Sequence, residues 1–155
     1  MNIEARLAEL GIELPQAASP VAAYVPVIDA GGMLHVSGQL PFRESGSMIR
    51  GRLGEDIDLT TGQEAARRCA VMLIAQIRSA LKGDLDRVAQ VVKLGVFVSS
   101  APNFIDQPKV ANGASDLMQA VFGEAGQHAR STVGVAVLPL GAAVEIDAIA
   151  AVRPN

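Results

Sequence analysis

Apolar and polar positions along this chain follow two periods, and together they predict a mixture of long helices and strands. From Thr61 to about Lys82, apolar residues recur at helical spacing, and Thr61-Gly-Gln-Glu64 has the pattern of a capping box. A second helix is predicted from Pro108 to about Phe122, since proline favours the first turn of a helix. Val88–Ser99 is almost continuously apolar and β-branched, which predicts a strand buried on both faces.

Shorter apolar runs predict four further strands, two before the first long helix and two after the second. These strands are Tyr24–Ile28, Met33–Ser37, Arg130–Val137 and Ala143–Val152. The first eleven residues predict a short amphipathic helix that Gly11 ends. The polar, glycine-rich stretch 43–58 predicts a long solvated loop with at most one weak strand.

The order β-β-α-β-α-β-β predicts an α+β fold with one mixed sheet and two long helices. We divide the chain into an N-terminal extension (1–22) with its short helix and a single domain (23–155). Two helices on one side leave the other face of the sheet uncovered, although several strands are apolar at both odd and even positions. We therefore expect a second copy of the same sheet to cover that face, in a homo-oligomer.

Composition narrows the classes of function. The chain has 155 residues and a net charge of −3, which argues against a nucleic-acid-binding protein. A single cysteine, Cys69, excludes a disulfide within the chain, and two separated histidines, His35 and His128, disfavour a zinc site, so we expect no metal or other cofactor. No apolar run approaches the roughly 18–20 residues needed to cross a membrane. We expect a soluble cytoplasmic protein without membrane or nucleic-acid partners.

The candidate chemistry lies in the last two predicted strands, where three charged residues interrupt small and apolar sequence. Arg130 suits the binding of a carboxylate, because a guanidinium offers two parallel donors and keeps its proton. Glu145 is a candidate general base whose pKa partial burial would raise. The alternatives are a structural ion pair of Arg130 with Asp147 or Glu145, and an exposed Glu145 without a role. Asp147 fits such an idle position better than Glu145 does.

A hairpin between these two strands has geometric consequences. With the turn centred near Leu140, Arg130 pairs with Ala150 and Glu145 with Val135, which separates the two charged groups by about 16 Å. Odd and even positions also face opposite sides of a sheet. We therefore expect Arg130 and Glu145 to share a ligand only across a subunit interface.

Three sequence elements in one colinear order resemble the signature of the RidA/YjgF family, which comprises small imine and enamine deaminases, some of them described as endoribonucleases. The strongest element is the C-terminal tail, Ala129-Arg-Ser-Thr-Val-Gly-Val-Ala-Val-Leu-Pro139 followed by Val144-Glu-Ile-Asp-Ala-Ile-Ala150. Ser37-Gly-Gln-Leu-Pro41 and Ala23-Tyr-Val25 match earlier elements. The resemblance covers roughly residues 24–152.

The resemblance implies a chorismate-mutase-like fold and a homotrimer whose sheets form a central barrel, with sites in the clefts between subunits. It implies that Arg130 binds the substrate carboxylate, and that Glu145 and the backbone carbonyl of Thr132 orient the hydrolytic water. The remaining positions that it places in the cleft are Tyr24, Ser37, Gly38 and Ser115.

Several positions depart from the family pattern and indicate a divergent subgroup. Thr132 replaces a cysteine, a change that matters little if only the backbone acts. Ser115 aligns with an asparagine of the cleft, and Asn112 fits that role only with a shift in alignment. His128 replaces a common proline, and there we expect a half-buried histidine with hydrogen-bond partners.

The sequence therefore predicts hydrolysis of small 2-imino or 2-enamino carboxylates to 2-keto acids and ammonia. The first alternative is a non-catalytic module that binds small carboxylates, which the change to Ser115 favours slightly. Ribonuclease activity is the third hypothesis, and the acidic charge and the shortage of aromatic residues argue against it.

Overall fold

The computed structural model describes residues 2–17 and 23–154 as a five-stranded sheet with helices packed on one side. Its helices are α1 (Ile3–Glu9), α2 (Leu59–Ala80) and α3 (Gln107–Phe122). Its strands are β1 (Val27–Ala30), β2 (Met33–Gln39), β3 (Val88–Ser99), β4 (Ala129–Val135) and β5 (Val144–Val152). The predicted α+β class and order of elements are confirmed, and part of the predicted connection from Gly11 to Ala22 lies outside the described residues.

Local sequence explains where the long helices begin. Asp58 caps α2, because its carboxylate accepts a hydrogen bond of 2.8 Å from the Thr61 backbone N–H. The predicted capping box at Thr61 is therefore wrong, and Thr61 already lies inside the helix. The prediction for α3 misses its start by one residue, since Pro108 occupies the first turn.

The strands run in the order β1-β2-β5-β3-β4, with β4 at one edge of the sheet. β5 pairs antiparallel with both β2 and β3, whereas β4 pairs in parallel with β3. The predicted hairpin between the last two strands is wrong, because β3 separates them. Arg130 lies opposite Leu94, and Leu94 lies opposite Ala148.

The main core fills the space between the sheet and the two long helices. Buried side chains alternate along β5, where Val144, Ile146 and Ala148 face the helices. Side chains on the opposite, open face of the sheet are only partly covered, and Val133 is 49% exposed. Within a single chain β3 is buried only on its helix-facing side, and Lys93 is exposed on the open face. Burial of that open face by a second copy stays a prediction.

The N-terminal helix packs against the rest of the protein. Ile3 and Leu7 of α1 are buried in the main core. Arg6 adds a hydrogen bond of 2.9 Å from its Nε to the Ala120 carbonyl near the end of α3. The division of the chain into an extension and a domain at residue 23 stays a prediction.

The stretch 43–58 is a loop with isolated bridges to its neighbours, as predicted, but it is less solvated than expected. Ile49 and Leu53 are buried in the main core. Arg52 also donates from Nη2 to the Ser100 carbonyl at 2.8 Å, which ties the loop to the end of β3.

Candidate functional site

The side chain of Arg130 lies on the helix-facing side of β4, where neutral groups of α3 hold it. Its Nη1 donates to Asn112 Oδ1 at 2.9 Å and to Ser115 Oγ at 3.0 Å. A weaker contact of 3.4 Å joins Nη2 to the Pro108 carbonyl. Among the described residues, Nε has no hydrogen-bond partner, so the Nε side of the guanidinium is available to a ligand.

No carboxylate of the described residues forms an ion pair with Arg130. The alternative of a structural pair with Asp147 or Glu145 is wrong, because these acids project from the other face of the sheet. A guanidinium held by neutral partners keeps its full charge for an anionic ligand.

Ser115 joins Arg130 to His128. The Ser115 hydroxyl lies 2.9 Å from His128 Nε2, and His128 Nδ1 lies 2.7 Å from the Gly126 carbonyl oxygen. His128 is half-buried and has hydrogen-bond partners, as expected. A shallow cavity of about 250 Å³ lies beside this group and is lined by Arg130, Ser115 and His128 among others.

Thr132 lies two residues after Arg130 on the edge strand β4, and its carbonyl points away from the neighbouring strand. The Val135 carbonyl accepts a hydrogen bond from the Ser100 N–H and therefore points toward β3. Since carbonyl direction alternates along a strand, the Thr132 carbonyl points outward from the free edge. An acceptor at this edge can orient water or a partner chain.

Glu145 lies on the open face of β5, against Gly38 in β2. A Cβ atom at position 38 would collide with the Glu145 carboxylate, so only glycine allows this approach. Burial raises the pKa of Glu145, and the negative charge of Asp147 raises it further. A carboxylate with a raised pKa is better suited to accept and return a proton near neutral pH.

Asp147 occupies the same face as Glu145, two residues along β5. Its carboxylate lies against Gly95 of β3, where a Cβ would also collide with it. Asp147 lines a cavity of about 560 Å³ on the open face of the sheet, together with His35, Lys93 and Ser37.

Ser37 lines the cavity on this open face, whereas Tyr24 lies in the segment before β1. The Ser37 hydroxyl donates to the Val25 carbonyl at 3.0 Å, which holds the segment before β1 against β2. The prediction that Tyr24 begins the first strand is wrong, because β1 starts at Val27, and the Tyr24 side chain is 62% exposed. Their roles toward a substrate stay predictions.

The predicted site residues thus form two separate groups within one chain. Arg130, Thr132 and Ser115 lie at the β4 edge and α3, whereas Glu145 and Gly38 lie on the open face of β5 and β2. Strand pairing places Arg130 and Glu145 two strands and three residue positions apart, or about 14 Å between Cα atoms. The expectation that Arg130 and Glu145 lie on opposite faces of the sheet is confirmed. The predicted separation of about 16 Å between them assumed a hairpin that the structure does not contain.

Asn112 and His128 contribute more to the site than the sequence predicts. Asn112 lies three residues before Ser115, on the same side of α3, so both side chains reach the same guanidinium nitrogen. Their spacing was the available signal. The partner of His128 could not be foreseen, because it depends on how the turn before β4 meets α3.

The described residues 2–17 and 23–154 contain no cluster of three or more His, Cys, Asp or Glu side chains arranged for a metal ion. Over the same residues, no helix combines the length and the apolar character needed to cross a membrane.

Comparison with known proteins identifies the family. Residues 4–151 match the family model described as "YjgF/chorismate_mutase-like, putative endoribonuclease". The chain belongs to this family. The resemblance seen in the sequence is therefore confirmed, and with it the YjgF/chorismate-mutase-like fold.

Two curated relatives differ in how much they indicate about function. Protein TCP17 from Trypanosoma cruzi is 55% identical over 149 residues, covering 96% of this chain and 92% of the relative, but its name states no activity. The 2-iminobutanoate/2-iminopropanoate deaminase of Dermatophagoides farinae is 26% identical and covers 92% of this chain and 95% of its own.

Solved structures share the fold, and two of them match it closely. A "putative endoribonuclease" from Shewanella oneidensis has a TM-score of 0.92 at 34% identity, covering 98% of this chain and 100% of its own. A protein of unknown function from Agrobacterium tumefaciens has a TM-score of 0.90 at 48% identity, covering 98% and 94%. E. coli TdcF with bound serine has a TM-score of 0.62 at 26% identity, covering 92% and 97%.

Proposed function

We propose that this protein hydrolyses small 2-imino and 2-enamino carboxylates to 2-keto acids and ammonia, in clefts between the subunits of a cytoplasmic homotrimer. The observation that carries the proposal is the Arg130 guanidinium. Neutral groups of α3 fix one of its nitrogens, and its Nε side remains available to an anion.

Carboxylate binding is the first step. The two hydrogens of Arg130 Nη1 are directed to Asn112 and Ser115, so Nε and Nη2 present the parallel pair of donors. A planar substrate carboxylate accepts both of them, which fixes the direction of the adjacent imine carbon. The E. coli TdcF structure, which shares this fold, holds serine, a small molecule that also carries an α-carboxylate.

Hydrolysis requires water, a proton acceptor and a proton donor. Glu145 accepts a proton from water as the water oxygen attacks the imine carbon, and the Thr132 carbonyl accepts a hydrogen bond from the same water. The imine nitrogen, which is protonated in the reacting substrate, becomes the amine of a neutral carbinolamine. Glu145 then returns its proton to that nitrogen, which makes it an ammonium leaving group. The ionised Glu145 takes the hydroxyl proton as the keto group forms and the C–N bond breaks, ammonia leaves, and Glu145 loses this last proton to solvent.

A trimer would bring the two groups together. Arg130 and Glu145 of one chain lie on opposite faces of the sheet, so a shared ligand needs Arg130 from one subunit and Glu145 from the next. The partly covered open face of the sheet is the surface that a second copy would bury. Tyr24, Ser37 and Gly38 would then line the cleft on the Glu145 side.

The decay of 2-iminopropionate tests the activity. An amino-acid oxidase generates the imine from alanine, and its decay and the release of pyruvate are followed with and without the protein. We expect the wild-type protein to accelerate decay and Arg130→Ala to abolish the acceleration. Arg130→Lys, which keeps the charge but not the paired donors, should retain only a small part of it.

The same assay separates the alternatives. Equal decay with wild-type protein and with buffer contradicts the deaminase. If pyruvate nevertheless binds and Arg130→Ala removes the binding, the protein is a non-catalytic carboxylate-binding module. The contact of Asn112 with the guanidinium serves carboxylate binding in either case, so the decay of the imine is the measurement that distinguishes the two functions.

A further inference from the structure

We propose that Ser115 and His128 are positioning residues that fix the direction of the Arg130 guanidinium through a chain of hydrogen bonds. The inference rests on the proposed function, since it assigns Arg130 to a substrate carboxylate. It gives Ser115 a different part from the one that the family resemblance implies, because the hydroxyl acts on Arg130 and not on the substrate.

The donor and acceptor of each hydrogen bond follow from the Gly126 carbonyl, at which this series of hydrogen bonds ends. The Gly126 carbonyl can only accept, so His128 Nδ1, at 2.7 Å, carries the hydrogen. In the neutral imidazole, Nε2 is then an acceptor, and the Ser115 hydroxyl donates to it at 2.9 Å. The lone pairs of the hydroxyl oxygen are left to receive the Arg130 Nη1 hydrogen at 3.0 Å.

The Gly126 carbonyl, where the hydrogen bonds end, is held rigidly. Gly126 is buried, and a Cβ atom there would collide with the backbone carbonyl of Met118 in α3. The Gly126 carbonyl therefore cannot shift without separating this turn from the helix. Because His128 is bonded to this carbonyl, its Nε2 is held in place beside Ser115, in the middle of α3.

Without His128, the Ser115 hydroxyl has a competing partner in its own helix. A serine inside a helix readily donates to the backbone carbonyl four residues earlier, which here belongs to Ala111. That arrangement turns the hydroxyl away from the orientation that receives Arg130. The guanidinium would then be held at Nη1 by Asn112 alone and would rotate more freely.

Two amide substitutions at position 128 test the acceptor. In His128→Gln the longer side chain places an amide oxygen near the position of Nε2, whereas the shorter side chain of His128→Asn reaches only the Nδ1 position. We expect His128→Asn to raise KM about tenfold with kcat changed less than about twofold, because carboxylate binding is lost equally from ground and transition states. His128→Gln should restore most of the affinity, and equal KM values for the two variants would contradict the proposal.

A double substitution tests whether His128 acts through Ser115. Ser115→Ala alone should raise KM by a similar factor, since Arg130 Nη1 loses the same partner. In the Ser115→Ala background, His128→Asn should then change KM by less than about twofold. A full tenfold further rise would mean that His128 acts by another route, and the proposal would fail.

Two measurements keep this test separate from the deaminase assay. Pyruvate affinity by calorimetry reports carboxylate binding whether or not the protein turns over an imine. The NMR signal of the Arg130 Nε–H reports the order of the guanidinium without any ligand. One informative result is an inactive wild-type protein whose Arg130 Nε–H signal is sharp, with a sharp signal also in His128→Gln and a broadened one in His128→Asn. That result would reject the deaminase and retain the positioning role.

Discussion

Glu145 and Asp147 project from the same face of β5, and each carboxylate lies against a glycine of a neighbouring strand. Gly38 of β2 accommodates Glu145, and Gly95 of β3 accommodates Asp147. The two acids therefore share one partly buried surface, and the charge of Asp147 adds to the effect of burial on the pKa of Glu145. Asp147, predicted to have no role, is thereby linked to the candidate general base.

We expect Asp147→Asn to lower the pKa of Glu145, because it removes the smaller of the two causes that raise it. Burial remains, so the pKa should stay above its ordinary value of 4.5. If ionised Glu145 is the base, the acid limb of the kcat/KM profile should move to lower pH. Asp147→Glu keeps the charge and serves as the control. An acid limb that stays in place in Asp147→Asn would separate Asp147 from the chemistry.

We expect Glu145→Gln to stabilise the folded protein at neutral pH while abolishing deamination. A raised pKa means that ionised Glu145 costs folding free energy, and the cost is complete only above the folded-state pKa. Below about pH 4.5, Glu145 is neutral in both states, so the difference from Gln should disappear there. Thermal unfolding at several pH values checks this, and a Tm for Glu145→Gln below that of wild type at pH 7 would contradict it.

Much of the fold could be predicted because local patterns determine it. The bounds of β3 agree with the apolar run Val88–Ser99, and the apolar stripes locate both long helices. The sheet order could not be predicted in this way. Neighbouring strands with a short connection usually pair, but here β5 lies between β2 and β3, and β4 takes the remaining edge of β3. That choice depends on long-range packing, which no local window contains.

The candidate site also has parts that local sequence predicts and parts that depend on long-range packing. The charges of Arg130 and Glu145 stand out in apolar sequence. Strand alternation placed them on opposite faces, although it did so through a hairpin pairing that the structure does not contain. The neutral partners of Arg130 do not stand out, because Asn112 and Ser115 are ordinary polar residues of a helix. Their part depends on how α3 meets β4, which only the three-dimensional structure gives.

We expect Gly38→Ala to reduce kcat about a hundredfold, because the added Cβ pushes the Glu145 carboxylate away from its position. Gly95→Ala is the matched control, since it introduces the same methyl group against Asp147 one strand away. It should change kcat much less. Circular dichroism checks that both variants fold, and equal losses of kcat in the two variants would show that Glu145 has no special part.

The separation of Arg130 from Glu145 predicts how two inactive variants behave when mixed. Arg130→Ala and Glu145→Gln are each expected to be inactive alone. If every site takes Arg130 from one subunit and Glu145 from the next, unfolding and refolding an equal mixture should restore both groups in about a quarter of the sites. If each site lies within one chain, every chain carries one defect and no activity returns. Mass measurement by light scattering, run on the same mixture, verifies that the refolded variants assemble as the wild-type protein does.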